Sequence, residues 1–331
     1  MGADTKSAQK SFQNRAGVFI INNKSLILVL IIMVVISCVS PAFLTYDNLK
    51  NVIRQISINA ILGVAFTFVL AAGSIDLSVG SLLAMLGIVA ALLTKAGLPF
   101  GLILLLVVAV GCFCGMMNGL LSVIFNLQPF LLTIATAQIF KGTAYLLSNG
   151  TPLAGLGKEI IWMGQGYVFG VVPAPVLIMA LFIIVGAILL YRTEFGRYTI
   201  AIGGNAEAAR VSGVNLSRHR VLIFVIVGIC TAVVSLIMDG RVASAQPTAG
   251  QGIELDIIAA VVIGGTSMNG GSGKIIGTIF GCLIIGLINN SLNLLNVNSF
   301  WQMVAKGVII LLAIILDANT AKFYEKLKIK S

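Results

Sequence analysis

An all-α fold, a polytopic bundle of helices integral to a membrane, is what this sequence predicts. Three observations carry the prediction. Of 331 residues, 58% are hydrophobic and only 10% charged, whereas a soluble domain carries about 25% charged residues. Apolar runs long enough to cross a bilayer recur along the whole chain. Those runs are continuous rather than alternating, which excludes a β-barrel.

A crossing helix needs roughly 20 apolar residues. On that measure about ten spans are expected, near 25–43, 57–73, 78–95, 101–125, 129–148, 173–191, 219–238, 254–268, 273–294 and 300–317. An even number puts both termini on one side. Lys and Arg choose the side. Arg192, Arg197, Arg210, Arg218, Arg220, Lys274 and the bases of both tails share the N-terminal face. The opposite face holds Lys50, Arg54, Lys95, Lys158 and Arg241. This bias makes both termini cytoplasmic. It divides the chain into a cytoplasmic tail (1–24), one transmembrane domain (25–318) with a cytoplasmic loop (192–220), and a basic C-terminal tail (319–331). Lys6, Lys10, Arg15 and Lys24 before the apolar run 26–39 mimic a signal peptide, but the spans that follow favour an uncleaved first helix.

The net charge of +10 could suggest nucleic acid. The bases flank apolar spans instead of forming a face, so no nucleic-acid partner is expected. Cys38, Cys112, Cys114, Cys230 and Cys282 all lie in apolar runs, without disulfide or zinc spacing. With His219 the only histidine, no metal site is expected.

Taken in order, Leu49, Val52, Ile53 and Ile56 recur at helical spacing and predict a short interfacial helix before the second span. Spans two and three are joined by Gly73-Ser74-Ile75-Asp76-Leu77-Ser78-Val79-Gly80. Spans eight and nine are joined by the similar glycine-rich run 264–273. Paired glycine-interrupted hydrophobic segments point to a transport pathway. Two outer segments, 149–172 and 239–252, are long enough to form surface elements, and the second runs directly into Glu254 and Asp256.

The loop 192–220 contains a short helix legible from its chemistry. Gly203-Gly204 breaks the preceding segment, and Asn205 caps the start. Ala206 to Arg210 are good helix formers. Glu207 and Arg210 stand in the order the helix dipole favours, and Gly213 supplies a left-handed exit. From the loop alone, it is either a solvated segment obeying the positive-inside rule or an element built to be gripped by a partner.

Asn118, Gln138, Lys141, Asn289, Asn290, Gln302 and Lys306 sit in or beside spans. Such groups face a bundle interior or a wet cavity. As a set they suggest a polar path for a hydroxyl-rich solute; singly, each is interhelical glue worth about 0.6 kcal/mol per bond. Asp76 either caps span three or touches solute, with Ser78 beside it. Glu254 and Asp256 are read as caps of span eight. Gly273-Lys274 is followed by Ile275 and preceded by Met268 where a phosphate loop needs glycine. The chain therefore has no ATP site of its own, and no Ser-His-Asp arrangement. No catalytic residue is assigned.

Four stretches carry a family resemblance: G-S-I-D-L-S-V-G-S at 73–81, A-I-G-G-N-A-E-A-A-R-V-S-G-V-N at 201–215, S-A-Q-P-T-A-G-Q-G-I-E-L-D-I-I-A-A-V-V-I-G-G-T-S at 244–267, and G-G-S-G-K-I-I-G-T at 270–278. From about Leu44 to Asp317 the chain resembles the monosaccharide permeases of bacterial ABC importers. S-A-Q-P-T-A-G matches the ribose branch best. The resemblance implies a homodimer in the lipid of the bacterial cytoplasmic (inner) membrane. It also implies a separate cytoplasmic ABC ATPase that uses ATP and Mg, and a periplasmic or lipid-anchored sugar-binding protein. The permease itself would bind no cofactor.

Under that resemblance Gly203, Gly204, Asn205, Glu207, Arg210 and Gly213 form the helix that docks in the ATPase. Asp76, Ser78, Asn118, Gln138, Asn289 and Asn290 are candidates for the translocation path. Gln246, Pro247 and Thr248 are candidates for docking the binding protein. Ribose leads as substrate, ahead of other pentoses, galactose-like hexoses and autoinducer-type furanosyl compounds. The rival readings are an ion-gradient-driven transporter using Asp76, Asp256 or Lys141, and an intramembrane enzyme or scaffold.

Overall fold

The structure is a computed structural model. It describes the backbone of residues 24–328, with side chains for 26–312 and for Ile315. The bases Lys6, Lys10 and Arg15 and the tip of the C-terminal tail lie outside the described residues.

Each of the ten apolar segments carries a helix. In chain order these are α1 (Lys24–Val39), α2 (Tyr46–Ala71), α3 (Val79–Lys95), α4 (Phe100–Ile124) and α5 (Pro129–Ser148). After a looped segment come α7 (Ala174–Arg192), α10 (Leu216–Val242), α11 (Ile253–Ile263), α12 (Ile275–Leu294) and α13 (Ser299–Lys328). Between them lie β1 (Leu153–Ala154), α6 (Lys158–Gln165), β2 (Tyr167–Val168) and β3 (Val172–Pro173), then α8 (Glu194–Gly204), α9 (Ala206–Val211) and β4 (Ser244–Ala245). Among the described residues six helices, α2, α4, α5, α7, α10 and α12, are long and apolar enough to cross a membrane. The protein is thus a polytopic helical membrane protein.

Helix α2 is the axis. In its most apolar stretch 83% of residues are buried, against 22% in α7, so α7 faces outward while α2 packs on α7, α10, α11 and α12. The expected interfacial helix is not separate. No glycine or proline occurs from Tyr46 to Leu62, and α2 runs through without a break from Tyr46. Val52 and Ile56 of the amphipathic stretch are buried, while Ile53 is exposed.

The tightest helix pair is α4 with α10. Gly111, Gly115 and Gly119 recur every four residues on α4 and let the α10 backbone come close. A Cβ at Gly111 would stand 2.5 Å from Gly228 O, one at Gly119 would stand 2.7 Å from Val221 Cα, and one at Gly115 would overlap Phe224 O. Small residues are how membrane helices approach closely when lipid offers no hydrophobic drive. Gly115→Leu is therefore expected to destabilise the fold by about 1–3 kcal/mol, read as a fall in melting temperature in detergent. Gly101→Leu on the same helix meets open space and should leave it unchanged.

The connections gather at two ends of the bundle, and α2 shows that these ends are opposite. Near the start of α2, Arg54 Nη2 donates to Gln165 O (2.7 Å), and Gln165 Nε2 donates to Gly240 O (3.2 Å) and Arg241 O (3.1 Å). There β1 pairs antiparallel with β4 (Leu153↔Ala245), and β2 with β3 (Tyr167↔Pro173). The segments 149–172 and 239–252 thus form one looped rim. At the other end of α2, Gly271 N donates to Ala71 O (2.9 Å), and Gly73 lies against Asn269 O and Gly203 Cα. Both glycine-rich joints and the end of α8 meet at this second rim.

Candidate functional site

Helix α11 has only 11 residues. It spans about 16 Å, roughly half of a 30 Å hydrocarbon core. It starts inside the bundle because the chain after β4 dips inward as far as Gly80 at the head of α3, where a side chain would collide with Gly250 O and Glu254 Oε2. This re-entrant run, the start of α3 and one face of α5 enclose an open cleft of about 290 Å³. Gln138 and Lys141, in the middle of twenty-residue α5, form one wall. Gly80, Ser81 and Ala84 form a second. Pro247, Thr248, Gln251 and Glu254 form the third.

The structure brings together part of what the sequence singled out. Gln138 lines the cleft, as do Pro247 and Thr248; Pro247 is itself buried. Gln246 lies outside the cleft, half-buried, with Nε2 3.5 Å from Ser244 Oγ. Asp76, Ser78 and Asn118 form a buried cluster flanking the cleft residue Leu77. Asp76 Oδ1 accepts from Ser78 N (2.8 Å) and Ser78 Oγ (2.7 Å), and Asn118 Nδ2 donates to that Oγ (3.0 Å). Leu77 N donates to Thr133 Oγ1 (3.1 Å), which ties the joint to α5. Asp76 caps the residue before α3 rather than its first turn.

Asn289 and Asn290 lie elsewhere, in bonds between helices. Asn290 and Asn48 exchange side-chain amide bonds of 2.7 and 3.1 Å, linking α12 to α2. Asn289 Nδ2 donates to Asp256 Oδ2 (3.3 Å), and Lys306 Nζ donates to the same oxygen (2.8 Å). The reading of Glu254 and Asp256 as caps is corrected. The residue before α11 is Gly252, without a side-chain cap; Asp256 is taken by Lys306 from α13, and Glu254 stands in the cleft. Neither arrangement has a local sequence signal, since the partners come from distant helices.

At the second rim, α9 stands out into solvent with Ala209 its buried residue. Asn205 Oδ1 accepts from Ala208 N (3.0 Å). Arg210 grips Glu207 with two bonds, from Nε (3.0 Å) and from Nη2 (2.5 Å). The guanidinium holds the Glu207 carboxyl below its ordinary value, and the carboxylate raises Arg210 in return. Gly213 follows at φ +89°, a left-handed exit that favours glycine.

The break expected at Gly203-Gly204 falls later. Both residues are helical in α8, and the chain turns at extended Asn205. Gly203 packs its bare Cα against Ala71 O and Gly271 N. His219 anchors α8 to α10: its Nε2 lies 2.8 Å from Thr199 Oγ1, and its ring stacks on Phe195 at 4.4 Å. An exposed capped helix is thus connected, through α8 and one glycine, to both joints that lead toward the cleft.

A family described as branched-chain amino acid transport system / permease component matches residues 48–314. The ribose import permease protein of Haemophilus influenzae is 40% identical, over 94% of this chain and 97% of its own. That of Bacillus subtilis is 43% identical, over 87% of this chain and 89% of its own. The xylose transport system permease protein of Haemophilus influenzae is 32% identical, over 90% of this chain and 96% of its own. No solved structure matches the chain.

Proposed function

Because this chain belongs to the family of permease components described for branched-chain amino acid transport systems, we propose that it is the membrane subunit of an ABC importer that moves a monosaccharide, ribose first, into the cell. It is a multi-pass protein of the bacterial inner membrane. One observation supports the mechanism: Gly203, at the end of α8 beside capped α9, packs against Ala71 O and Gly271 N, where the two joints meet, and the first of those joints runs on to the cleft residue Leu77. An ATPase chain that uses ATP and Mg grips α9 through Asn205, Glu207 and Arg210. Its movement passes along α8 to the joints at Ala71 and Gly271, and the cleft opens alternately to the two sides.

All ten helical segments cross or enter the membrane in this reading, with both termini cytoplasmic. The basic loop 192–220 and Lys274 share the α9 rim, as the positive-inside rule favours. A sugar-binding protein docks on the looped rim formed by 149–172 and 239–252. Two copies of the chain assemble with their α5 faces together. This is supported by exposed Gln138 and Lys141 in the middle of that apolar helix, where lipid contact is costly. Asp76, Ser78, Asn118 and Gln138 belong to the path, while Asn289 and Asn290 hold the helices around it.

The test is uptake of labelled ribose by proteoliposomes that contain the permease, its ATPase and its binding protein. Glu207→Ala with Arg210→Ala should lower ATPase copurification and uptake at least about tenfold, as removal of a charge-assisted contact across an interface does. Insertion should be unaffected, because the exposed pair contributes little to the fold. Normal uptake in that variant sinks the coupling role. Uptake abolished by a protonophore at constant ATP sinks the ATP-driven reading.

A further inference from the structure

The cleft holds one carboxylate and one ammonium, Glu254 and Lys141. They come from different walls, α11 and α5. Among the described residues neither belongs to an ion pair, with the other or with any third group. Opposite charges within a membrane bundle attract strongly and are expected to close on one another. Here they line the same space and stay apart. Glu254 stands in the first turn of α11, where the re-entrant run meets the cleft. It also rests on the bare backbone of Gly80, where any side chain would displace Oε2. The nearby acid Asp256 is already met by Lys306, and Asp76 Oδ1 by Ser78.

Resting on the importer reading above, we infer that Glu254 and Lys141 are substrate-contacting residues that select a neutral polyol. The two carboxylate oxygens accept from adjacent hydroxyl groups of the sugar. The ammonium donates to a hydroxyl or ring oxygen on its other side. Gln138 adds one donor and one acceptor beside Lys141. Because the two charges cancel, the cleft favours an uncharged sugar over a sugar acid or an amino sugar. Gly80 is part of the same device, since its missing side chain gives Glu254 its seat.

The complete importer, with ATPase and binding protein in proteoliposomes, provides the test. The reading is ribose moved per ATP hydrolysed, with the melting temperature of each variant alongside. Glu254→Gln and Lys141→Gln are each expected to lower ribose per ATP at least about tenfold, the scale of a lost hydrogen bond to a charged group. Glu254→Asp should recover part of the loss, and every variant should melt with the wild type. Import within about twofold of wild type in either Gln variant overturns the inference. So does a loss that appears only together with a fall in melting temperature, which would assign the pair to packing. A wild-type assembly that hydrolyses ATP and moves no monosaccharide is a different result: it overturns the importer reading itself, and the inference falls with it.

Discussion

Gly203→Val is expected to bring sugar import to background while leaving the chain inserted in the membrane. Gly203 lies in the last turn of α8, against the hydrogen bond from Gly271 N to Ala71 O. A Cβ there would overlap Ala71 O and stand 2.5 Å from Gly271 N. Both are backbone atoms and cannot swing aside. The added carbons therefore wedge the seam open, at a cost of about 1–3 kcal/mol for overpacking and about 1 kcal/mol more for the lost bond. That is small beside the drive that inserts the apolar helices, but it falls at the point where α8 touches both joints. The consequence belongs to coupling: ATP hydrolysis continues and sugar does not move. Gly213→Ala is the contrast. Its Cβ meets open space at φ +89°, so it strains the backbone by about 1–2 kcal/mol without touching the seam, and import should largely survive. Wild-type import by Gly203→Val would mean that α8 is not the link between α9 and the cleft.

What could be read from the chain follows the range of each interaction. The helices were legible because their apolar runs are local and long. The α9 element was legible because its cap, its charge pair and its glycine exit fall within nine residues, and Asn205 Oδ1 does meet Ala208 N at 3.0 Å. Local rules misread positions where a distant contact overrides them. Gly203 and Gly204 are weak helix formers, yet the close approach to Ala71 and Gly271 keeps them helical. The amphipathic stretch 49–56 does bury Val52 and Ile56, but nothing ends it, so it became the head of α2. Glu254 and Asp256 stand where caps are common, yet one turns to the cleft and the other to Lys306. The cleft itself needs α3, α5 and the run before α11 in register, which no periodicity in a single sequence reports. Thr248 was legible as a docking candidate, but not as lining the same cleft as Gln138.

Removing one partner of the Asp256–Lys306 pair should cost far more than removing both. Lys306 Nζ reaches Asp256 Oδ2 at 2.8 Å and joins α13 to half-helix α11. Asn289 completes the site from α12 with a 3.3 Å bond to the same oxygen. Lys306→Met leaves a carboxylate among apolar helices with one amide for company. Breaking such a pair costs about 3–5 kcal/mol in a buried setting, and about 2–4 kcal/mol is expected here because Lys306 is one-third exposed. Asp256→Asn alone strands the ammonium, which can snorkel along its own stem toward a polar region, so its loss should be smaller. The double variant Asp256→Asn with Lys306→Met removes both charges and keeps a hydrogen-bonding group for Asn289, so it should recover most of the stability of the wild type. Melting temperatures of the four proteins in detergent complete the cycle. If the double variant falls by the sum of the two single losses, the residues do not act as a pair. If it recovers stability yet imports slowly, α13 is tied to α11 for transport as well as for the fold, because α11 carries Glu254 in the same first turn as Asp256.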